Sequence, residues 1–294
     1  MDMGLTVGYV GSKGTHLDRA YNANSPLPSN LFLQSNRPYP AFATVTVRSA
    51  SANSDYDALQ ISLEKKYSKG LSTLIAYTYS KSIDDASAWS ATAVDPFNFH
   101  AERGLSSFDT RNRFVASYVY DIPVGKGRAA LSSMNSVGEF LLGGWQTNGI
   151  LQVQSGNPVD PTVGLNTLTG TNSATRPDVV AGCNPNDFSH DPTEWFNTAC
   201  FSRNFLGRFG DSGRDVIIGP GTVELDASLL KNFTFKESRY VQFRGEFFNI
   251  MNHPNFDNPN TTETSSFFGR ITSAGVQDPR LTSRQIQFAL RLVF

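Results

Sequence analysis

Two cysteines, four histidines and a knot of opposed charges are the residues of this chain that could do chemistry. Cys183 and Cys200 stand 17 residues apart in a stretch rich in Gly, Asn, Asp and Pro. In an exported, oxidising setting such a pair suggests a disulfide closing a loop. Two free thiols, or a metal site shared with the intervening His190, are the alternatives, and no CxxC spacing is present. His16, His100, His190 and His253 are scattered without HExxH or other ligand spacing. His253 lies in Asn252-His253-Pro254-Asn255, a turn composition, and reads as structural. Gly125-Lys126-Gly127-Arg128 lacks the GxxxxGKS/T pattern of a phosphate loop and reads as a flexible basic turn. Asp84, Asp85 and Asp109 flank one loop together with Arg103, Arg111 and Arg113. They can pair with one another or touch a ligand, and salt bridges that pack the loop are the favoured reading. No Ser/His/Asp arrangement stands out. The sequence therefore predicts no enzyme, no metal and no cofactor.

The elements that must carry these residues are strands. Gln285 to Phe294 alternates, with Ile286, Phe288, Leu290, Leu292 and Phe294 apolar and Gln285, Gln287, Ala289, Arg291 and Val293 mostly polar or small. Successive side chains of a strand face opposite ways, so this segment has one greasy and one wet face. Its length fits the roughly 9–11 residues that a tilted strand needs to cross a bilayer. The same period runs through 57–67, 71–82, 113–122, 145–154, 225–235 and 241–250. Leu59, Ile61, Leu63 and Tyr67 are expected on one face, as are Phe114, Ala116, Tyr118 and Tyr120. Weaker candidates at 5–10, 15–22 and 43–49 bring the expected total to about ten strands. Long connections near 83–110, 156–222 and 252–283 alternate with tight ones at 68–70 and 234–238. Threading back from Phe294 sorts the long ones to one side and the tight ones to the other, as outer-membrane barrels do.

Composition points the same way. Aromatics reach 12% while charged residues are only 17%, a balance suited to strands that meet lipid on one face and water on the other. A net charge of -1 leaves no basic excess to neutralise phosphates, which excludes an ordinary nucleic-acid binder. No run of 18 apolar residues offers a transmembrane helix. Met1-Asp2-Met3 runs straight into an alternating segment without a signal peptide, so the start reads as internal to something longer.

Several stretches carry a family resemblance. Tyr9-Val10-Gly11-Ser12-Lys13-Gly14-Thr15-His16-Leu17, Tyr56-Asp57-Ala58-Leu59-Gln60 and Ala76-Tyr77-Thr78-Tyr79-Ser80-Lys81-Ser82 are similar to the barrel of Oar-like TonB-dependent receptors. So are Arg111-Asn112-Arg113-Phe114-Val115, Gly143-Gly144-Trp145-Gln146, the run from Phe243 to Phe256, and Arg284 to Leu290. The resemblance implies an all-β antiparallel transmembrane barrel in the outer membrane, with this chain as the C-terminal part of 22 strands. It implies a plug and N-terminal regions, not contained here, that contact TonB, and external loops that capture a transported ligand which these residues do not identify. The expected partners are outer-membrane lipid and the barrel-assembly machinery. That machinery would read Phe288, Leu290, Leu292 and Phe294 as a terminal assembly signal. The competing readings are an autonomous ten-stranded barrel acting as surface hydrolase or adhesin, and a soluble carbohydrate-binding β-sandwich. Cut from a larger barrel, the sheet should stay open, its first strand unpaired with its last.

Overall fold

The computed structural model describes residues 2–29, 31, 34–164, 175–236, 239–275 and 282–294. Eight long strands dominate it: β1 (Met3–Asn22), β2 (Thr46–Ser68), β3 (Leu71–Asp84), β4 (Asn112–Asp121), β5 (Trp145–Gln154), β6 (Thr222–Lys236), β7 (Arg239–Phe248) and β8 (Gln285–Val293). They follow one another in chain order as an antiparallel meander, with the short strand Gly104–Leu105 added beside β3. Among the described residues β1 pairs only with β2 and β8 only with β7, so the sheet does not close. The expected ten strands become eight, because the segments at 5–10 and 15–22 are one strand, as are those at 43–49 and 57–67. Gly11, Gly14 and the polar run Ser49–Asp55 interrupt the apolar period without interrupting the ladder, apart from a register shift near Leu17.

Register, rather than any single strand, establishes the two faces. Val7 stands opposite Ile61, Ile61 opposite Tyr77, and Tyr77 opposite Phe114. The same row continues through Val153, Val223 and on to Phe247 and Ile286 by alternate positions. All the apolar parities therefore fall on one side of the sheet. Leu290 and Phe288 on that side are 74% and 68% exposed, which in water would be a costly patch and in lipid is a contact surface. Nine residues of β8 at about 3.4 Å each, tilted 35–45°, span roughly 21–25 Å, the height of an outer-membrane apolar band. The opposite side carries Gln146, Asn148 and Gln152 of β5, Ser228 and Asn232 of β6, and Gln242 of β7. There Ser228 Oγ donates to Asn148 Oδ1 at 2.5 Å and Gln242 Nε2 to Asn232 Oδ1 at 3.0 Å.

Tyr67 departs from the expected face. A register shift between Lys65 and Ser68 inserts an extra residue, and the Tyr67 hydroxyl donates to Asp121, which also accepts Gln146 Nε2 at 2.8 Å on the polar side. The turn that follows places Lys69 and Gly70 at φ 52° and 80°, the two-residue hairpin geometry whose twist matches the strands. Lys65 Nζ closes it from Ser68 O at 3.0 Å and Leu71 O at 2.8 Å.

Connections 69–70, 122–144 and 237–238 lie at one end of the sheet; 23–45, 85–111, 155–221 and 249–284 lie at the other. Residues 237–238 and parts of the last two long loops fall outside the described residues. The connections at the second end are the longer set, the arrangement expected from the sequence. In connection 122–144 the expected basic turn stands at Gly125–Arg128, with Gly125 and Gly127 at φ 137° and 70°, and a helix that the alternating pattern did not indicate, α1 (Ser136–Leu142), follows it. The apolar core sits outside the sheet: Phe196, Cys200, Phe201 and Ile217 cluster within the loops, covered by Val159, Trp195 and Phe268.

The face assignment makes a prediction. Arg at Leu290, midway along β8, should cost about 2–4 kcal/mol of barrel stability. Arg at Gln287, on the polar side, should stay within about 0.5 kcal/mol. Denaturant midpoints of the barrel in lipid decide it, and equal losses at both positions would reverse the assignment.

Candidate functional site

The long loops are held as one assembly by two buried arginines, Arg176 and Arg214. Arg214 donates through Nη2 to the Asp84 carboxylate, to Asp84 O at 2.8 Å and to Leu105 O at 3.2 Å, tying the 155–221 loop to the end of β3. Asp84 is 2% exposed and also accepts Ser87 Oγ at 2.9 Å. Arg176 donates Nε to both Asp160 oxygens at 3.0 and 3.1 Å and Nη2 to Glu102 Oε2 at 2.7 Å. Glu102 in turn accepts the Val94 amide at 2.9 Å, which fixes the 85–111 loop. Asp160 accepts the Asp215 amide at 3.1 Å, joining the two clusters. A third brace is Arg19 of β1, which reaches Asp85 at 2.7 Å and stacks 4.4 Å from the Phe99 ring.

Asp84, Asp160, Asp215 and Glu102 thus surround only two guanidinium groups. Burial and the neighbouring Asp160 push the Asp215 carboxyl up to about 7, against the pull of Arg214 and Arg176 and with a further push from Asp84. Asp160 is also raised by burial, with Arg176 opposing.

Beside Arg176 the loops leave a cleft of about 470 Å³, lined by Asp95, Asn98, His100, Arg103, Phe209 and Asp211. Ser212 also lines it; it is 6% exposed, and its buried Oγ finds no hydrogen-bond partner among the described residues. The walls carry both signs of charge and one aromatic ring, which suits a polar, hydrogen-bonding ligand. Closer to the sheet a second cleft, of about 330 Å³, opens over the polar wall between Tyr56, Gln60, Thr78, Phe108, Asp109 and Arg113.

The structure joins Cys183 to Cys200 in a disulfide, with 5.4 Å between their Cα atoms. Both half-cystines belong to the loop core, away from the clefts. Of the six charged residues singled out near 83–110, only Asp109 and Arg111 pair with each other, at 3.6 Å. Asp84 and Asp85 pair with Arg214 and Arg19, and Arg103 with Asp55 at 2.9 Å. His100 lines the larger cleft, while His253 is held in its turn by Asn249, which accepts its amide at 3.0 Å. Phe288, Leu290 and Leu292 lie exposed on the apolar face, and Phe294, 93% exposed, stands beyond the end of β8. Sequence reasoning missed Arg176, Arg214, Asp160, Glu102 and Asp215, whose partners lie as far as 130 positions away.

A family model described as an outer membrane beta barrel domain matches residues 1–287. No curated protein matches the chain in sequence. Among solved structures, the chain is similar to the outer membrane transporter YddB from Escherichia coli, with 8% identity and a TM-score of 0.50. The alignment covers 100% of this chain and 31% of that one, so the chain spans about a third of that protein's length.

The charge cluster predicts a pH response. An opened loop returns Asp215 to its ordinary value of 3.8, whereas the assembled loop holds its proton until about 7. The assembled state therefore binds more protons between those values and loses stability as pH rises through that window. Amide protection factors around 211–218, corrected for the intrinsic base-catalysed rise of exchange with pH, should be larger at pH 5.5 than at pH 8, and Asp215→Asn should flatten the difference. The same pH contrast in the Asn variant would remove Asp215 as its origin.

Proposed function

The chain belongs to the outer membrane beta barrel domain family, and from that premise we propose that it is the C-terminal wall and ligand-capturing loops of an Oar-like TonB-dependent receptor. The protein resides in the outer membrane and its fold suits a transport or receptor role. The finer reading rests on the motifs spread from Tyr9 to Leu290 and on the open sheet. In hydrocarbon each unpaired N–H or C=O costs several kcal/mol, so the free edges of β1 and β8 call for further strands. On this reading those strands, a plug filling the polar side, and the segment that contacts TonB come from outside these residues. The loop cleft, with its acidic, basic and amide side chains, receives the ligand from the exterior, and the polar wall below lines its route.

No catalytic role is assigned. The buried carboxylates Asp84, Asp160 and Glu102 are committed to arginines, Asp160 and Glu102 to backbone amides as well, which supports binding rather than hydrolysis. The Cys183–Cys200 bond staples the loop core in an oxidising compartment. Phe288, Leu290, Leu292 and Phe294 serve as the signal read by the barrel-assembly machinery.

The single observation that carries the proposal is one apolar face continuous across eight strands that do not close. The receptor extracted from outer membranes should bind a purified periplasmic domain of TonB. The 294-residue chain alone, refolded with lipid, should give no closed, heat-modifiable monomer. A closed, ion-conducting monomer from the chain alone would instead promote the autonomous small barrel.

Removal of Phe294 tests the terminal signal separately. Outer-membrane yield of the receptor should fall several-fold, while the denaturant midpoint of the protein that does insert stays unchanged. Undiminished yield would strike the signal from the proposal.

A further inference from the structure

We propose that connection 122–144 is a membrane anchor, with α1 lying in the boundary between acyl chains and headgroups of the periplasmic leaflet against phospholipid. Asn135 caps the helix by accepting the Gly138 amide at 2.8 Å. Val137, Phe140 and Leu141, spaced i, i+3 and i+4, then form one apolar stripe, 67%, 44% and 54% exposed. The charged residue of the helix is drawn back into the connection: the Glu139 carboxylate accepts the Lys126 amide at 2.6 Å. A seven-residue helix is about 10 Å long and cannot cross a bilayer, so it lies along it.

Its seat on the barrel identifies the occupant of that stripe. The Phe140 ring packs 5.1 Å from Phe233 and 6.4 Å from Phe235, residues of β6 on the lipid-facing side. Trp145 Nε1 donates to Leu141 O at 3.0 Å, and its ring begins an aromatic row through Phe243 to Phe288 on that same side. The helix therefore continues the lipid-contacting surface at its periplasmic rim. Lys231 also points to this side, opposite Trp145, yet is 4% exposed because its ammonium donates to Gly143 O. The segment thus hides a charge that would otherwise face hydrocarbon. Lys126 and Arg128 stay exposed in the same connection, where headgroup phosphates are the complementary charge.

The inference uses the lipid-facing wall and none of the receptor's ligand or energy coupling. A photoreactive benzophenone amino acid is placed singly at Leu141, Leu290 or Gln152 in the protein expressed in outer membranes, and adducts are identified by mass. Phospholipid adducts are expected at Leu141 and Leu290, with none at Gln152. A polypeptide adduct at Leu141, or no lipid there while Leu290 is labelled, overturns the anchor. Failure at Leu290 as well overturns the wall assignment and the anchor with it.

Discussion

Everything in this molecule depends on the requirement that a backbone in hydrocarbon pair its own polar groups. Water is absent there, so each N–H and C=O must find a neighbouring strand. The meander meets this across seven consecutive ladders, β1 to β8, and the continuity of register does the rest. A slip of one residue in any ladder would send the following apolar rows to the watery side. The extra residue before Ser68 is tolerated because it lies at the rim, beside the turn, where water can reach both faces.

The long loops solve a different problem. Long irregular segments cannot rely on a ladder, and here they bury a small apolar nucleus around Phe196 and Ile217 and brace it with ions. Arg176 and Arg214 each satisfy carboxylates from one loop and hold another, at the cost of removing charges from water. Such pairs add little net stability over apolar packing, but losing one partner leaves a buried charge and is strongly destabilising. The arrangement specifies one loop geometry more than it strengthens it, which is what a cleft of defined shape requires.

The strands were legible because lipid demands strict alternation, and rows such as Leu59–Ile61–Leu63 and Phe288–Leu290–Leu292 obey it. Where β1 and β2 rise above the membrane neither face must be apolar, so Gly11 to Gly14 and Ser49 to Asp55 concealed two halves of single strands. Tyr67 was misplaced since an inserted residue leaves no mark in an alternating pattern. The loop site was almost invisible: Arg214 finds Asp84 across 130 positions, and no local spacing encodes that meeting. Helix α1 left a faint trace in Asn135 and the stripe behind it, too short to stand out among strands.

The hairpin of β1 and β2 has a mechanical meaning. Past Ser54, where β3 ends, the two strands run on without a third to the Asn22–Thr46 pair, eight residues of β2 or about 27 Å. Arg19 and the bonds from Ala20 N to Ala91 O and Ala93 N to Ala20 O, both 3.0 Å, lash this mast to the 85–111 loop. At its head Asn24 gathers the carbonyls of Tyr39 and Phe42 into a closed cap. A tug on that cap travels down the rungs as shear, shared among many bonds, and enters the wall through β1. Below those lashings β1 has a strand partner on one side only among the described residues, so a load applied to the cap is felt first at the seam of the sheet.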